Sequence, residues 1–114
     1  MIFRIWHGWT TPTNAAAYER IVQEEVFAMI AAKKVQGYRG IDLLRRNVGG
    51  EVEFTTIMRF GSLDAIRAFA GNDYERSFVP PQAQAVLSRN EEQAQHYDHI
   101  RHIDYADGGT VLNG

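Results

Sequence analysis

The sequence predicts an α+β domain, one small antiparallel sheet with helices on one side, and three observations carry that expectation. An apolar strand over residues 2–9 breaks at Thr10-Thr11-Pro12 and runs into a helical stretch over 14–33. A second strand over 52–60 breaks at Gly61-Ser62 and runs into helical 63–70. Each helix is followed by further strand-like sequence, 38–48 in the first half and 93–103 in the second. Two β-α-β halves joined by a Gly-rich turn read as the split β-α-β, or ferredoxin-like, arrangement with a four-stranded antiparallel sheet.

Each element has its own justification. In the first strand, Ile2, Arg4, Trp6 and Gly8 alternate with Phe3, Ile5, His7 and Trp9, so the two sets point to opposite faces. Both sets are largely apolar, and one layer of helices covers only one face. The other therefore needs a partner, and the expectation is a homodimer packed sheet against sheet, a dimeric α+β barrel. Thr11 suits the cap of the first helix and Pro12 its first turn, where a missing N–H costs nothing. Tyr18, Ile21, Val22, Val26, Met29 and Ile30 form its apolar stripe, and Gly37 stops it.

Gly49-Gly50 between two β-rich runs reads as a hairpin turn. Phe54, Thr56, Met58 and Phe60 then alternate with Glu53, Thr55, Ile57 and Arg59. Ser62 caps the second helix and Gly71 ends it. Residues 72–81 are the least regular part of the chain, longer than a simple connection needs, and loops of that kind often close a pocket. A helical patch at 82–88 precedes the last strand. The domain is expected over 1–103, with a tail over 104–114 in which Gly108-Gly109 breaks any regular element.

Composition narrows the classes. The 114 residues hold one domain's worth of core, net charge is −2, and the basic residues are scattered apart from Lys33-Lys34 and Arg45-Arg46. Without a basic stripe there is no nucleic-acid footprint. No Cys is present, which removes disulfides, thiolate catalysis and thiolate-metal sites. The first residues read as a strand rather than a signal peptide, no apolar run approaches a membrane span, and the expected location is cytoplasmic.

Several stretches carry a family resemblance: Ile5-Trp6-His7-Gly8-Trp9-Thr10, Glu24-Glu25-Val26-Phe27, Gly37-Tyr38-Arg39-Gly40, residues 54–73, and His96-Tyr97. In order and spacing, over about residues 1–101, they resemble the antibiotic biosynthesis monooxygenase superfamily. That resemblance implies dimeric α+β barrels with a pocket in each subunit between its sheet and its helices. It also implies activities such as cofactor-free oxidation of phenolic polyketides, quinol oxidation or haem degradation. The haem-degrading pattern of an Asn on the first strand, a Trp near the end of the third and a His on a helix is not matched here. The chain has His7 or Trp9, Arg59-Phe60 and Phe69 in those places.

Candidate chemistry follows from residue type and placement. His96, His99 and His102 are spaced by three, but on a strand that spacing sends His99 to the opposite face, and no metal site is expected. His7 and His96 lie on neighbouring strands, where an imidazole can take a proton from a phenol or hydroxyl near neutral pH. The competing reading is a pair of hydrogen-bonded structural histidines. Trp6, Trp9, Tyr38, Tyr74 and Phe78 either line a flat pocket suited to a polycyclic or quinoid substrate or fill core and interface. Arg59 either stabilises a phenolate or enolate or pairs with a carboxylate such as Glu53.

The expected catalytic set is His7, His96 and Arg59, and the expected substrate-binding set is Trp9, Tyr38, Tyr74 and Tyr97. Either His7 or His96 is expected inside the pocket, with Tyr74 near its mouth. The function expected from the resemblance is a cofactor-independent monooxygenase acting on a small aromatic molecule, with no cofactor or metal, no nucleic acid and no membrane. An isomerase or lyase using the same base, and a non-catalytic binding or stress-associated protein, stand beside it.

Overall fold

A computed structural model describes residues 1–106, 110 and 111. Its elements run β1 (Ile2–Thr10), α1 (Ala15–Ile21), a π-helical segment (Val22–Val26), α2 (Phe27–Ala32), β2 (Tyr38–Val48), β3 (Glu51–Phe60), α3 (Leu63–Ala70), α4 (Pro81–Gln84), β4 (Arg89–Asn90), β5 (Gln95–Asp98), β6 (Tyr105–Ala106) and β7 (Thr110–Val111). The main sheet has the order β2-β3-β1-β4, with β5 on the same edge of β1 as β4, and every pairing in it is antiparallel. This is the ferredoxin-like α+β fold, with its fourth strand position shared by two short segments.

That sharing corrects the expected single strand over 93–103 and has a local cause. β4 pairs at Gly8–Trp9 and β5 pairs at Ile2–Ile5. Between them the Glu91 carboxylate accepts from the His7 backbone N–H at 2.8 Å, while the Glu91 N–H donates to the His7 carbonyl at 3.0 Å. A side chain thus does the work of a ladder carbonyl, and the strand is interrupted there. The expected helical patch at 82–88 forms earlier and shorter, as α4, with Pro81 in its first turn.

The hairpin turn and the second helix act as expected. Val48 faces Glu51 across the Gly49-Gly50 turn, where Gly49 has φ +60°. The Ser62 hydroxyl accepts from the Ala65 N–H at 3.1 Å and caps α3, and Gly71 ends that helix at φ +88°. The first helix corrects its expected start: the cap position falls at Asn14, and Thr11 and Pro12 belong to the turn before it, where Thr11 Oγ1 accepts from the Asn14 N–H at 3.2 Å.

The first helix is continuous but not uniform. Its buried residues are Ala15, Tyr18, Ile21, Val22, Val26 and Ile30, and four of them, Tyr18, Val22, Val26 and Ile30, are spaced by four. In a regular α-helix such a spacing drifts by about 40° per step, and the wider π-helical turn keeps the four in line. Met29 corrects the predicted stripe, being turned out to solvent, whereas Ile30 is buried as expected.

The core lies between this helical layer and one sheet face. Phe54, Phe60 and Ile66 are fully buried, Tyr18 packs on Phe54 at 4.7 Å, and Phe69 meets Phe60 at 5.7 Å. Each large apolar side chain so buried contributes roughly 1.5–3 kcal/mol. Alternation puts Arg4, Trp6, Gly8 and Thr10 on this side of β1 and Phe3, Ile5, His7 and Trp9 on the other.

The opposite face carries no layer among the described residues. It presents Phe3, Ile5 and Ile57 at its centre, with Leu44 50% and Tyr97 54% exposed. Ion pairs cross it: Arg59–Asp42 at 2.6 Å, Arg46–Glu53 at 2.9 Å and Arg89–Glu51 at 2.9 Å.

Of the tail, β6 and β7 pair with each other, Tyr105 opposite Val111, although no regular element was expected over 104–114. The remainder of the expected tail, 107–109 and 112–114, lies outside the described residues.

Candidate functional site

Between the sheet and the helical layer is an apolar cavity of about 50 Å³. Trp6 and Met58 form its sheet side, Val22 and Val26 of the π-helical segment its helical side, and Phe69, Phe78 and Pro80 close it. The irregular stretch after α3 thus supplies a wall. It is held in place by pairing with the strand interruption: Arg76 bridges to Gln93, the Ser77 N–H donates to Glu92 O at 2.9 Å, and the Ala94 N–H donates to Glu75 O at 2.7 Å. The Trp6 indole N–H donates to Ser77 Oγ at 3.1 Å and to Glu91 O at 2.9 Å, which locks the sheet to that wall. Localised π-helical turns recur at functional sites, because they displace side chains from the α register.

Arg4 is the one charged residue lining the cavity, and only 3% of it is exposed. Its guanidinium donates to the backbone oxygens of Tyr74 and of Arg76, the latter at 2.8 Å, and to His96 Nε2 at 2.9 Å. No carboxylate pairs with it among the described residues. Of the five N–H donors of an arginine, three are engaged. Burial pulls its pKa down to about 10. A buried cation held only by neutral acceptors is uncommon, because an interior charge ordinarily demands a counter-charge. It lies 5.6 Å from the Phe69 ring centroid, so an anionic group on an aromatic molecule in the cavity meets both a cation and a stacking surface.

His96 serves this arginine. Arginine cannot accept a hydrogen bond, so Nε2 of His96 carries no proton and the neutral ring is protonated on Nδ1. Burial first, and the Arg4 cation second, hold its pKa below the ordinary histidine range, with Glu75 opposing them. Tyr74 meets the same ring edge-on at 5.3 Å. Both belong to an open groove of about 620 Å³ along β5, outside the cavity.

The predicted site residues therefore divide. His96 and Tyr74 come together behind Arg4, but neither lines the cavity. His7, Trp9, Arg59 and Tyr97 all lie on the opposite sheet face, which corrects the expectation of His7 within the pocket: strand alternation gives the core side to Arg4, Trp6 and Gly8. There His7 Nδ1 bonds Glu91 at 2.7 Å, and Trp9 lies beneath the Arg89 guanidinium at 3.9 Å. Arg59 pairs with Asp42 rather than Glu53, which Arg46 takes instead. Tyr38 packs on Phe60 at 5.4 Å at the sheet margin, and burial raises its pKa. His99 stacks on Phe3 and His102 bonds Asp104, so the three spaced histidines serve separate places.

Residue chemistry alone does not single out Arg4. Its signal was a lone cation in the otherwise apolar set Ile2, Arg4, Trp6, Gly8.

The topology and the cavity define a ferredoxin-like α+β protein with a small internal site between its sheet and its helices. The structure is similar to that of Rv0793 from Mycobacterium tuberculosis, with a TM-score of 0.55 and 18% identity, over 89% of this chain and 96% of that one. At that identity the likeness concerns the fold. No protein-family model and no curated protein sequence matches the chain. No helix among the described residues is long and apolar enough to cross a membrane.

Proposed function

We propose that this chain is a cofactor-independent monooxygenase of the antibiotic biosynthesis monooxygenase type, acting in the cytoplasm on a small phenolic or quinol-like aromatic bound beside Arg4. The observation that carries this reading is the buried guanidinium without a carboxylate, facing a cavity walled by Trp6, Phe69 and Phe78. In this reading the ring lies among those aromatics and its oxygen meets Arg4, which favours the phenolate over the phenol. The electron-rich anion then reduces dioxygen directly. One oxygen atom ends as a carbonyl on the ring carbon that loses hydrogen. The other leaves as water with that hydrogen and the phenolic proton, so phenol and dioxygen give quinone and water.

The cavity of about 50 Å³ holds a few water-sized groups, so an aromatic ring enters as the Phe78–Pro80 wall moves outward. His96 is a positioning residue here, because its free lone pair is already taken by Arg4. The functional unit in this reading is a homodimer, with Phe3, Ile5, Ile57 and Leu44 of each copy covering those of the other. A contact of that kind buries well over ~1,000 Å².

Oxygen uptake with 1-naphthol and 2-naphthol, with labelled dioxygen followed into the product by mass spectrometry, tests the reaction. Uptake with one label atom per quinone is expected. Saturable binding of the phenols without any oxygen uptake would reject the oxygenase reading in favour of an isomerase or a binding protein.

A further inference from the structure

A second cation stands next to the cavity. Lys33 is the last residue before the chain leaves the first helix, at Lys34, which adopts φ +50°. Its ammonium lies 5.0 Å from the centroid of Phe69 and 4.7 Å from that of Phe78, two rings that themselves meet at 5.2 Å. It donates one hydrogen bond, to the Phe69 carbonyl at 3.3 Å, and pairs with no carboxylate among the described residues. An ammonium has three donors, so two remain.

Phe69 is thus shared by two cations, Arg4 within the cavity and Lys33 on the outer side of the Phe69–Phe78 pair. Sharing one ring limits their separation to what a one- or two-ring molecule spans. Neither takes the other's hydrogen-bond partner, and the Phe69–Phe78 pair beside them offers a stacking surface.

We infer that the ligand of this cavity is a hydroxyaryl carboxylate, its ring oxygen at Arg4 and its carboxylate at Lys33, which makes Lys33 the residue that selects for an acid. The inference rests on the cavity at Arg4 being the ligand site. Lys33 is exposed, so it meets the anion at the surface and, by pairing with it, gives up its hold on the Phe69–Phe78 rings that wall the cavity.

The test compares a hydroxynaphthoate with the matching hydroxynaphthamide, which keeps the ring and the phenol and lacks only the charge. Calorimetric titration of the wild-type protein is expected to show a preference for the acid of roughly threefold to fivefold, the scale of an exposed ion pair. The preference falls as salt is added. Lys33→Gln removes it by weakening the acid alone, and Lys33→Arg keeps it. Equal binding of acid and amide by the wild type, or a preference that survives in Lys33→Gln, overturns the role of Lys33 while leaving the aromatic site standing. Failure of both compounds to bind overturns that site and this inference together.

Discussion

Gly8→Ala is expected to damage the site from beneath. A Cβ on Gly8 falls 2.6 Å from Trp6 Cη2, 3.1 Å from Trp6 Cζ3 and 3.0 Å from Leu87 Cδ2. The leucine methyl is the end of a flexible side chain and gives way. The indole does not, because its N–H is fixed to Ser77 and Glu91. Forcing an extra methyl into such packing costs about 1–3 kcal/mol, and displacing the indole from its acceptors adds about 0.5–1.5 kcal/mol. A loss of roughly 2–4 kcal/mol lowers Tm by roughly 8–15 °C for a domain of this size. The decisive assay is a double-mutant cycle with Trp6→Phe, which removes the ring atoms that collide. In that background Gly8→Ala is expected to cost under about 1 kcal/mol, a coupling well outside the additivity of independent sites. An equal cost in both backgrounds would refute the argument, because the penalty would then come from the strand and not from the ring.

Three further outcomes follow from the same contacts. Ser62→Ala removes the cap on α3 and is expected to cost about 1 kcal/mol by chemical denaturation, with Ser62→Asp largely restoring it. His96 binds its proton less readily folded than unfolded, so its contribution to stability is complete above the ordinary histidine range near pH 6.5 and is lost as pH falls through and below it; His96→Gln is expected to flatten the stability profile in that window. Ile57 lies opposite Ile5 at the centre of the bare sheet face, so light scattering is expected to give twice 12.9 kDa for the wild type and a single chain for Ile57→Glu.

What the sequence revealed and what it hid have separate physical causes. β2 and α3 were legible to the residue, because alternation, a Gly-Gly turn, a serine cap and a terminating glycine all agree there. The π-helical turn was hidden, since a spacing of four between inward residues differs from an ordinary amphipathic stripe only when it repeats from Tyr18 to Ile30. The divided last strand was hidden as well. It depends on Glu91 bonding His7, a contact between strands that no local pattern encodes.

For the site, alternation along β1 already separated Arg4 from His7, but a histidine attracts attention as a base where a lone arginine in an apolar set does not. His7, Trp9, Arg59 and Tyr97 stand out by residue chemistry, whereas the cavity follows burial. Lys33 carried no signal beyond a basic pair, because its neighbours Phe69 and Phe78 come from distant segments of the chain.

Under the proposed function Arg4 receives an anion in the core, and Arg4→Met removes that role. The two side chains are similar in length, and the interior disfavours the guanidinium charge by roughly 3 kcal/mol, judged from a pKa pulled down to about 10. Losing its hydrogen bonds to Tyr74, Arg76 and His96 works the other way, so the two effects largely offset and the fold survives. The measurement is oxygen uptake with a phenolic substrate on wild type and Arg4→Met, alongside their melting temperatures. Turnover is expected to fall by about 10²-fold or more while Tm moves by only a few degrees. Undiminished turnover in a folded Arg4→Met protein would contradict that role.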